Sequence, residues 1–493
     1  MDGLNELKKR ENNVLAGGGA EKIKKQHGAG KSTARERIAM LLDAGSFIET
    51  DAFVLPREGE LAADGVVCGF GTVEDRPVYV YAQDYTVMMG AIGEMHAKKI
   101  CKIYDMAIKT GTPVIGLIDS AGLRLKEGMN ALSGVGEILK RNVMASGFVP
   151  QICAVMGDCA GVSAFSPAMA DFVIMSGENS SLSLYTNRVI SATEGKQAEK
   201  CEGTSGLATM SAANDEECIG LIKLLLSYLP DNNKSGAPAV LCADDLNRTS
   251  EYLQTIGGEY DIKTVIAEVA DDRAFIETGA SFAPAMVTGF VRLNGSTVGV
   301  VANDHKIKGG IICTDAADKA VRFVRFCDAF EIPVLTFSDT EGFALSSEQE
   351  KAGIARHAAQ LFYAFAEATV PKVNVVLGKA FGAAYTAMNS KESGCDLSFA
   401  WSDAAISVAS PEIAANILFA DDIAGAKNPM TERGKKIDEY IKKNSSPYEA
   451  AKGGFIDDVT EPALTRPKVI AAFEMLKTKS VTKLSKKHGN MPF

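Results

Sequence analysis

Short apolar runs alternate with amphipathic segments along the chain. Three runs in the first half, PVIGLI from Pro113, QICAVMG from Gln151 and DFVIMS from Asp171, are typical of strands that are buried on both faces. Between two of them, GEILKRNVMASG from Gly136 has the spacing of an amphipathic helix. Strands and helices that alternate in this way predict an α/β fold with parallel or mixed sheets flanked by helices.

The pattern of the first half returns in the second half. GFGTVEDRPVYVYAQDYTVMMG is matched 220 positions later by GFVRLNGSTVGVVANDHKIKGG, and PVIGLIDSAGLRL is matched at the same offset by PVLTFSDTEGFAL. A third pair of blocks is offset by 221 positions. The paired blocks contain Gly69 and Gly289, Pro113 and Pro333, and Pro150 and Pro371. Three blocks in one order at nearly one spacing predict an internal duplication.

The duplication predicts two domains, residues 1–240 and 250–493. The stretch from Pro230 to Gly258 contains PDNNKSGAP and TIGGEYD, whose composition is typical of a linker. Late in the second half, ERGKKIDEYIKKN predicts a surface helix with a solvated charged face.

Composition narrows the function classes. The chain of 493 residues is 46% hydrophobic and 23% charged, which is ordinary for a globular protein. Its net charge of -10 argues against nucleic acid as the main partner. No apolar run approaches the roughly 20 residues of a membrane span, and the N-terminus has no signal-peptide core. Ten scattered cysteines suggest reduced thiols and a cytoplasmic location, and the five histidines are too dispersed to predict a metal site.

The stretch GAGKSTARERIAML contains Gly-Lys-Ser-Thr, the ending of a phosphate-binding loop. Such a loop begins with a glycine that this chain replaces by Lys25, and the preceding charged segment is no buried strand. We interpret the stretch as a helix entry instead. Thr33 and Glu36 have capping-box spacing, and the apolar face of the helix would contain Ile38, Leu41 and Leu42.

Each half contains two glycine-containing loops that follow predicted strands. They are residues 119–124 (DSAGLR) and 157–164 (GDCAGVSA) in the first half, and 339–344 (DTEGFA) and 378–385 (GKAFGAAY) in the second. Small residues between a strand and a helix let backbone N–H groups approach a ligand oxygen, so paired loops could form oxyanion holes. The alternative is tight helix–sheet packing, which also needs small residues.

Cys159 has the Gly-x-Cys-x-Gly spacing of a nucleophile elbow. The matching position of the second half is Phe381, so the two loops do not share a thiol. We therefore expect Cys159 to be a small buried residue and the shared feature to be backbone geometry.

Long segments of the chain resemble the carboxyltransferase subunits of biotin-dependent acyl-CoA carboxylases and decarboxylases, the family of propionyl-CoA carboxylase beta and methylmalonyl-CoA decarboxylase alpha chains. They are STARERIAMLLDAGSF, GEILKRNVMASGFVPQICAVMGDCAG, DAADKAVRFVRFCDAFEIPV, YAFAEATVPKVNVVLGKAFGAAY and GFIDDVTEP. The resemblance implies two tandem crotonase-like (ClpP/crotonase) spiral domains, with acyl-CoA on residues 1–240 and biotin on residues 250–493. It also implies hexamers whose active sites lie between the N-terminal half of one subunit and the C-terminal half of its partner.

The resemblance implies that a carboxyl group moves between N-carboxybiotin and the α-carbon of a short-chain acyl-CoA, propionyl-CoA or methylmalonyl-CoA. The thioester enolate and the biotin ureido oxygen would each need an oxyanion hole. Carried over by position, the donors are the N–H groups of Gly161, Val162, Ala383 and Ala384. The adjacent substrate-binding residues are Ser120, Ala121, Gly122, Arg124, Gly342 and Phe343.

The implied cofactor is biotin, with a coenzyme A thioester as substrate and no metal. The chain has no Met-Lys-Met biotinylation segment, so biotin would arrive on a separate carrier protein. The implied partners are a biotin carboxyl carrier protein and either a biotin carboxylase or a membrane decarboxylase subunit.

The chain departs from the family pattern at several loop positions. Val162 stands where the family has glycine, which restricts the backbone and narrows the pocket. Glu341 stands where the family has proline. It is either solvent-facing or salt-bridged, or it alters proton handling in favour of decarboxylation or of a different acyl substrate. Two other functions stay open: a crotonase-type hydratase or isomerase, for which Glu127 and Glu341 are the candidate acids, and a non-catalytic scaffold subunit.

Overall fold

The structure, a computed structural model, describes residues 2–56, 62–178, 180–185, 187–194 and 203–492. The chain divides into two compact units, Met1–Gly236 and Ala237–Phe493. The division falls inside the stretch that the sequence indicated as a linker. That stretch also contains a short helix, Glu251–Thr255, which its composition did not predict.

Unit 1 is built on a mixed sheet with the strand order β1-β2-β3-β4-β5-β7-β9. The first three strands pair antiparallel, and the later pairs are parallel. Strands β6 and β8 form a separate small parallel sheet. The strands are β1 Ile48–Thr50, β2 Val66–Val73, β3 Arg76–Gln83, β4 Val114–Ile118, β5 Gln151–Val155, β6 Asp158–Ala160, β7 Phe172–Ser176, β8 Ser181–Ser183 and β9 Met210–Ala212.

Strands β4, β5 and β7 are buried at every position, which confirms the prediction from their uninterrupted apolar runs. Helices α4 and α5 bury Ile100, Tyr104 and Ile138 in the core beneath this sheet. The helices of unit 1 are α1 Asp2–Leu15, α2 Ala20–Gly28, α3 Ala34–Leu41, α4 Glu94–Thr110, α5 Met129–Ala145, α6 Phe165–Met169, α7 Asn187–Glu194 and α8 Asp215–Tyr228.

Helix α3 begins as the sequence predicted. The Thr33 side chain accepts the Glu36 N–H, and the Glu36 carboxylate accepts the Thr33 N–H, so the capping box is complete. Ile38, Leu41 and Leu42 are buried, which confirms the apolar face of the helix.

Unit 2 repeats this plan. Its sheet has the order β10-β11-β12-β13-β14-β15-β17, and β16 pairs with the far end of β14. The strands are β10 Ile276–Thr278, β11 Met286–Leu293, β12 Ser296–Asn303, β13 Val334–Thr340, β14 Lys372–Phe381, β15 Leu397–Trp401, β16 Ala405–Ser407 and β17 Asp458–Thr460.

Some helices of unit 2 pack on this sheet, whereas the three between residues 411 and 440 pack on one another, and the last of these contains most of the predicted charged surface segment. The helices of unit 2 are α9 Glu251–Thr255, α10 Ile262–Val269, α11 Thr314–Ala329, α12 Ser347–Ala352, α13 Ile354–Glu367, α14 Gly382–Ala387, α15 Pro411–Leu418, α16 Ala420–Gly425, α17 Pro429–Tyr440, α18 Pro447–Lys452 and α19 Thr465–Leu476.

The duplication extends to individual contacts. Strands β2 and β3 recur as β11 and β12 with the same antiparallel pairing 220 positions later. The isolated parallel bridge between Ile92 and Leu123 recurs between Ile312 and Phe343. Each half of the sequence thus folds into the same sheet, with its glycine loops at the same ends of equivalent strands.

Candidate active site

The loop after β4 is rigid and places Ala121 at the surface. Gly122 has a left-handed backbone, with φ of 102°, and its N–H donates to the Ser120 hydroxyl at 3.1 Å. The Ala121 N–H donates to the Met89 carbonyl at 3.0 Å. Ser120 is buried and Ala121 is exposed. The N–H groups of Ala121 and Gly122 are therefore already hydrogen-bonded within the unit. The loop can still form one wall of a binding site.

The second loop of unit 1 begins a short 3-10 helix, Gly161–Ala164. Gly161 has φ of 72°, a conformation that favours glycine. Its N–H donates to the Leu184 carbonyl at 3.1 Å, so this expected donor is already engaged. The Val162 N–H donates no hydrogen bond to any residue that the structure describes. Of the two expected donors in unit 1, Val162 is the one whose N–H has no acceptor among the residues that the structure describes.

Unit 2 has the equivalent geometry around Gly382. This glycine has φ of 58° and opens helix α14, whose preceding residue Phe381 provides no side-chain cap. The N–H groups of the first helical turn have no partner within the helix, so they can bind an external acceptor. Ala383 is exposed and Ala384 is buried. Ala383 is therefore the better placed of the two expected donors.

A cavity of about 740 Å³ in unit 2 begins at this helix start. Gly382, Ala383 and Tyr385 line one wall, and Val408 and Phe455 contribute apolar surface. A volume of 300–1,000 Å³ with a few polar groups is typical of small-molecule sites. Ala383 thus presents its backbone to a cavity that can hold a ligand.

The loop after β13 reproduces the loop after β4. Gly342 has φ of 140°, and its N–H donates to the Thr340 hydroxyl at 3.1 Å, as Gly122 does to Ser120. Phe343 pairs through its backbone with Ile312 and is partly buried. The two loops share a backbone conformation even though their sequences, DSAGLR and DTEGFA, differ.

Asp119 anchors the loops of unit 1, a role that the sequence analysis did not assign. The carboxylate is completely buried and contacts Lys31 Nζ at 2.9 Å, Arg37 Nη1 at 3.0 Å and Gln26 Nε2 at 3.0 Å. Gly157 makes room for it, because a Cβ there would lie 1.9 Å from Asp119 Oδ1. The lysine of Gly-Lys-Ser-Thr therefore holds a carboxylate of the protein itself.

Asp339 occupies the matching position of unit 2 with different partners. Tyr260 donates its hydroxyl proton to Oδ2 at 2.5 Å, and the Lys379 backbone N–H donates to Oδ1 at 2.8 Å. His305 Nδ1 lies 3.3 Å from Oδ1. The paired aspartates, each at the end of an equivalent strand, were the sequence signal that could have identified this role.

Arg124 is occupied by carboxylates of its own unit. It pairs with Asp64 and with Glu127, whose Oε1 lies 3.1 Å from Nη1, and its side chain is 8% exposed. Burial raises the pKa of Asp64, and the nearby guanidinium opposes that shift. Arg124 therefore forms its ion pairs within unit 1. Its contact with substrate stays a prediction.

The other candidate side chains are not free reactive groups. Glu341 pairs with Lys379 at 2.7 Å, and both side chains are more than 40% exposed, which agrees with the salt-bridged alternative. Glu127 accepts the Glu94 N–H at 2.7 Å besides pairing with Arg124. Cys159 is completely buried, and burial raises its thiol pKa to about 12, which confirms that it is no activated nucleophile.

Across the described residues, no cluster of three or more His, Cys, Asp or Glu side chains has metal-binding geometry. None of the helices in the described ranges is both long enough and apolar enough to span a bilayer.

Comparison with known proteins extends the resemblance over the whole chain. A family model described as the carboxyl transferase domain matches residues 25–491. The chain is 43% identical to the methylmalonyl-CoA decarboxylase subunit alpha of Propionigenium modestum, covering 99% of this chain and 98% of that protein. It is 45% identical to the putative propionyl-CoA carboxylase beta chain of Bacillus subtilis (strain 168), covering 97% and 96%.

Solved structures agree with these relatives. The fold matches the transcarboxylase 12S hexamer crystallised with methylmalonyl-coenzyme A and methylmalonic acid, with a TM-score of 0.96 and 40% identity over 99% of this chain and 98% of that one. A single-chain, multi-domain long-chain acyl-CoA carboxylase shares the fold, with a TM-score of 0.82 at 24% identity over 96% of this chain and 50% of that one. The predicted two-domain crotonase-like architecture is confirmed.

Proposed function

The chain belongs to the carboxyl transferase family, and we propose from this premise that it moves a carboxyl group between N-carboxybiotin on a carrier protein and the α-carbon of propionyl-CoA or methylmalonyl-CoA. It is a carboxyltransferase of the group that contains propionyl-CoA carboxylases and methylmalonyl-CoA decarboxylases. The names of the relatives and the ligands of the transcarboxylase 12S crystals support a short-chain acyl group. Family membership favours carboxyl transfer over the hydratase alternative, as does the pairing of Glu127 and Glu341 with cations.

Two backbone oxyanion holes are the core of this proposal. The observation that carries it is the repeated loop, in which a left-handed glycine, Gly161 or Gly382, is the first residue of a short helix and is followed directly by the proposed donor, Val162 or Ala383. In our proposal the Val162 N–H stabilises the enolate oxygen of the acyl thioester. The Ala383 N–H stabilises the oxyanion on the biotin side. Hydrogen bonds to developing charge count more in the transition state than in the ground state, which is what catalysis requires.

The residues of unit 2 fit the ureido group of biotin. An uncharged bicyclic ring needs apolar surface and a donor for its carbonyl oxygen; in our proposal Val408 and Phe455 provide the apolar surface and the Ala383 N–H is the donor. Gly382, Ala383 and Tyr385 would border the ring in this proposal. Biotin would carry the carboxyl group on a ring nitrogen. This chain would supply the shape of the cavity and the backbone hydrogen-bond donors.

Assembly and partners follow by analogy with the relatives. The transcarboxylase 12S structure is described as a hexamer, and the decarboxylase relative is named as one subunit of a larger enzyme. We propose that this chain also forms a homo-hexamer, and that it works with a biotin carrier protein and a further carboxylase or decarboxylase subunit. Sedimentation of the purified chain at six times its 52.2 kDa mass would support the hexamer.

The direct test is decarboxylation of methylmalonyl-CoA or malonyl-CoA by the purified chain in the presence of free biotin. We expect biotin-dependent loss of the carboxyl group, with methylmalonyl-CoA used at least as well as malonyl-CoA. Omission of biotin is the control, because simple thioester hydrolysis would continue without it. Hydration of an enoyl-CoA with no biotin-dependent reaction would contradict the proposal.

A further inference from the structure

His305 lies beside the carboxylate that anchors the loops of unit 2. It follows β12 and occupies the position that Tyr85 has in unit 1, 220 residues earlier. Its Nδ1 is 3.3 Å from Asp339 Oδ1, which is an ion-pair distance without hydrogen-bond geometry, and its side chain is 24% exposed. The charged side chains that act on it are Asp339 from β13, Lys379 from β14 and Glu341 from the following loop.

Asp339 connects the two loops that flank the proposed biotin side. It stands immediately before the Thr340 to Gly342 turn, and its Oδ1 accepts the N–H of Lys379, four positions before Ala383. A Cβ at Gly378 would lie 2.6 Å from Asp339 Oδ1, so the carboxylate is packed directly against this strand. Movement of the carboxylate would therefore be transmitted to both loops.

Within the described part of the chain, no lysine or arginine side chain forms an ion pair with Asp339. Tyr260 and the Lys379 backbone supply neutral donors. A buried carboxylate is costly unless it is paired or well hydrogen-bonded. The imidazolium form of His305 is thus the group that can bring a compensating positive charge to this site.

We propose that His305 is a positioning residue, which in its protonated form holds Asp339 and thereby fixes the glycine loops on the biotin side. This inference rests on the proposed function, because it assigns those loops to biotin. If His305 has this role, the catalytic efficiency with biotin depends on pH through a side chain that does not contact the substrate.

The direction of the pH dependence follows from the local charges. The Asp339 carboxylate raises the pKa of His305 above its ordinary value of 6.5, while burial acts in the opposite direction. The contribution of the charged pair is complete below pH 6.5 and is lost as the pH rises through the raised pKa. The catalytic efficiency with biotin should fall over that same range.

The test measures kcat/KM for free biotin from pH 5.5 to 9, at saturating methylmalonyl-CoA, in the wild type and in H305Q. We expect the wild type to fall about tenfold through a midpoint above 6.5, a size typical of changes at residues that act on a site without contacting the ligand. H305Q should lose this transition and stay at the low level, and the KM for methylmalonyl-CoA should not change. H305K, with a fixed charge, should stay high across the range.

H357Q is the matched control, since His357 Nδ1 lies 2.6 Å from Asp318 in another histidine–aspartate pair of the same unit. It should keep the wild-type profile. An unchanged transition in H305Q, or its loss in H357Q, would overturn the inference.

A second readout does not depend on activity. Trp401, the single tryptophan of the chain, has its ring 6.2 Å from that of Tyr260, which hydrogen-bonds Asp339. Its emission should show a pH transition in the wild type and none in H305Q. Absence of this transition from the wild type overturns the inference, whereas its presence in a protein without carboxyl transfer would place the failure in the proposed function.

Discussion

Asp119 in unit 1 and Asp339 in unit 2 stand at the same point of the same strand-to-loop connection, and their carboxylates are held by different chemistry. Asp119 forms ion pairs with the side chains of Lys31 and Arg37. Asp339 accepts hydrogen bonds from Tyr260 and from a backbone N–H, and His305 Nδ1 lies 3.3 Å from its Oδ1. The burial of the two carboxylates is alike, at 0% and 3% exposure.

After the duplication, the two units kept the same loop geometry, whereas the groups that contact the two buried aspartates became different. In both units a glycine makes room for the carboxylate and a second, left-handed glycine opens the next helix. In unit 1 the anchoring cations come from helix α3 and the loop before it. The carboxylate of unit 2 instead accepts hydrogen bonds from a phenol and a backbone N–H, with an imidazole 3.3 Å away, so we expect its anchor to be weaker than that of unit 1.

The largest expected loss of stability comes from breaking the ion pairs of Asp119 in unit 1. Arg37→Met leaves the buried carboxylates of Asp119 and Asp215 without their shared guanidinium, and we expect a loss of about 3–5 kcal/mol in unfolding free energy. Tyr260→Phe removes one neutral donor from the Asp339 carboxylate and should cost about 1.5–3 kcal/mol. Urea denaturation followed by circular dichroism measures both.

Arg35→Met serves as the control for Arg37→Met, since Arg35 sits two positions away in a more exposed pair with Glu49. It should cost less than about 1 kcal/mol. Equal losses in Arg37→Met and Tyr260→Phe would contradict the claim that the two anchors differ in strength.

A smaller loss of stability is expected from substitution of the two glycines that pack against the buried carboxylates. Gly157→Ala would bring a Cβ to 1.9 Å from Asp119, and Gly378→Ala to 2.6 Å from Asp339. Both should destabilise by about 1–3 kcal/mol through overpacking. Gly157→Ala should be the worse of the two, because its carboxylate is fixed by two cations. Thermal unfolding midpoints compare them directly.

Gly136→Ala is the matched control for this pair. Gly136 is exposed within helix α5 and a Cβ there meets nothing within 4 Å, so the change should be neutral or stabilising by up to about 1 kcal/mol. A stable Gly157→Ala protein would show that Asp119 is not packed against the second loop.

The smallest effect is expected at Glu341. Its pair with Lys379 is more than 40% exposed on both sides, so Glu341→Gln should change stability by less than about 1 kcal/mol. The ratio of forward to reverse carboxyl transfer should also stay unchanged, as it should in Glu432→Gln, which removes another exposed pair. A shifted ratio in Glu341→Gln alone would revive the idea that this carboxylate alters proton handling.

Local patterns predicted much of the fold. The uninterrupted apolar runs became the buried strands β4, β5 and β7, and the spacing of Thr33 and Glu36 became a capping box. The repeat was visible because matched blocks kept an almost constant offset. These features depend on residues close in sequence, or on direct comparison of the two halves.

Long-range partners were not predictable in the same way. Lys31 lies 88 positions from Asp119, and nothing in Gly-Lys-Ser-Thr indicates a buried carboxylate as its partner. The engagement of the Gly161 N–H by Leu184 depends on the pairing of β6 with β8, two strands of three residues each. Arg124 was expected at the substrate, and only the folded unit reveals Asp64 and Glu127 around it.

The central claim, that each unit contributes a backbone donor to the reaction, is tested most directly by removing one N–H at a time. Proline is tolerated in the first turn of a helix, so Val162→Pro and Ala383→Pro delete the donors while retaining the helices. Val162→Ala and Ala383→Ser keep the N–H and serve as controls.

The measurement is kcat for carboxyl transfer from methylmalonyl-CoA to free biotin, in variants whose thermal unfolding matches the wild type. We predict that each proline variant loses about 10²- to 10³-fold in kcat, and that both controls remain close to the wild type. Folded proline variants with wild-type kcat would contradict the account.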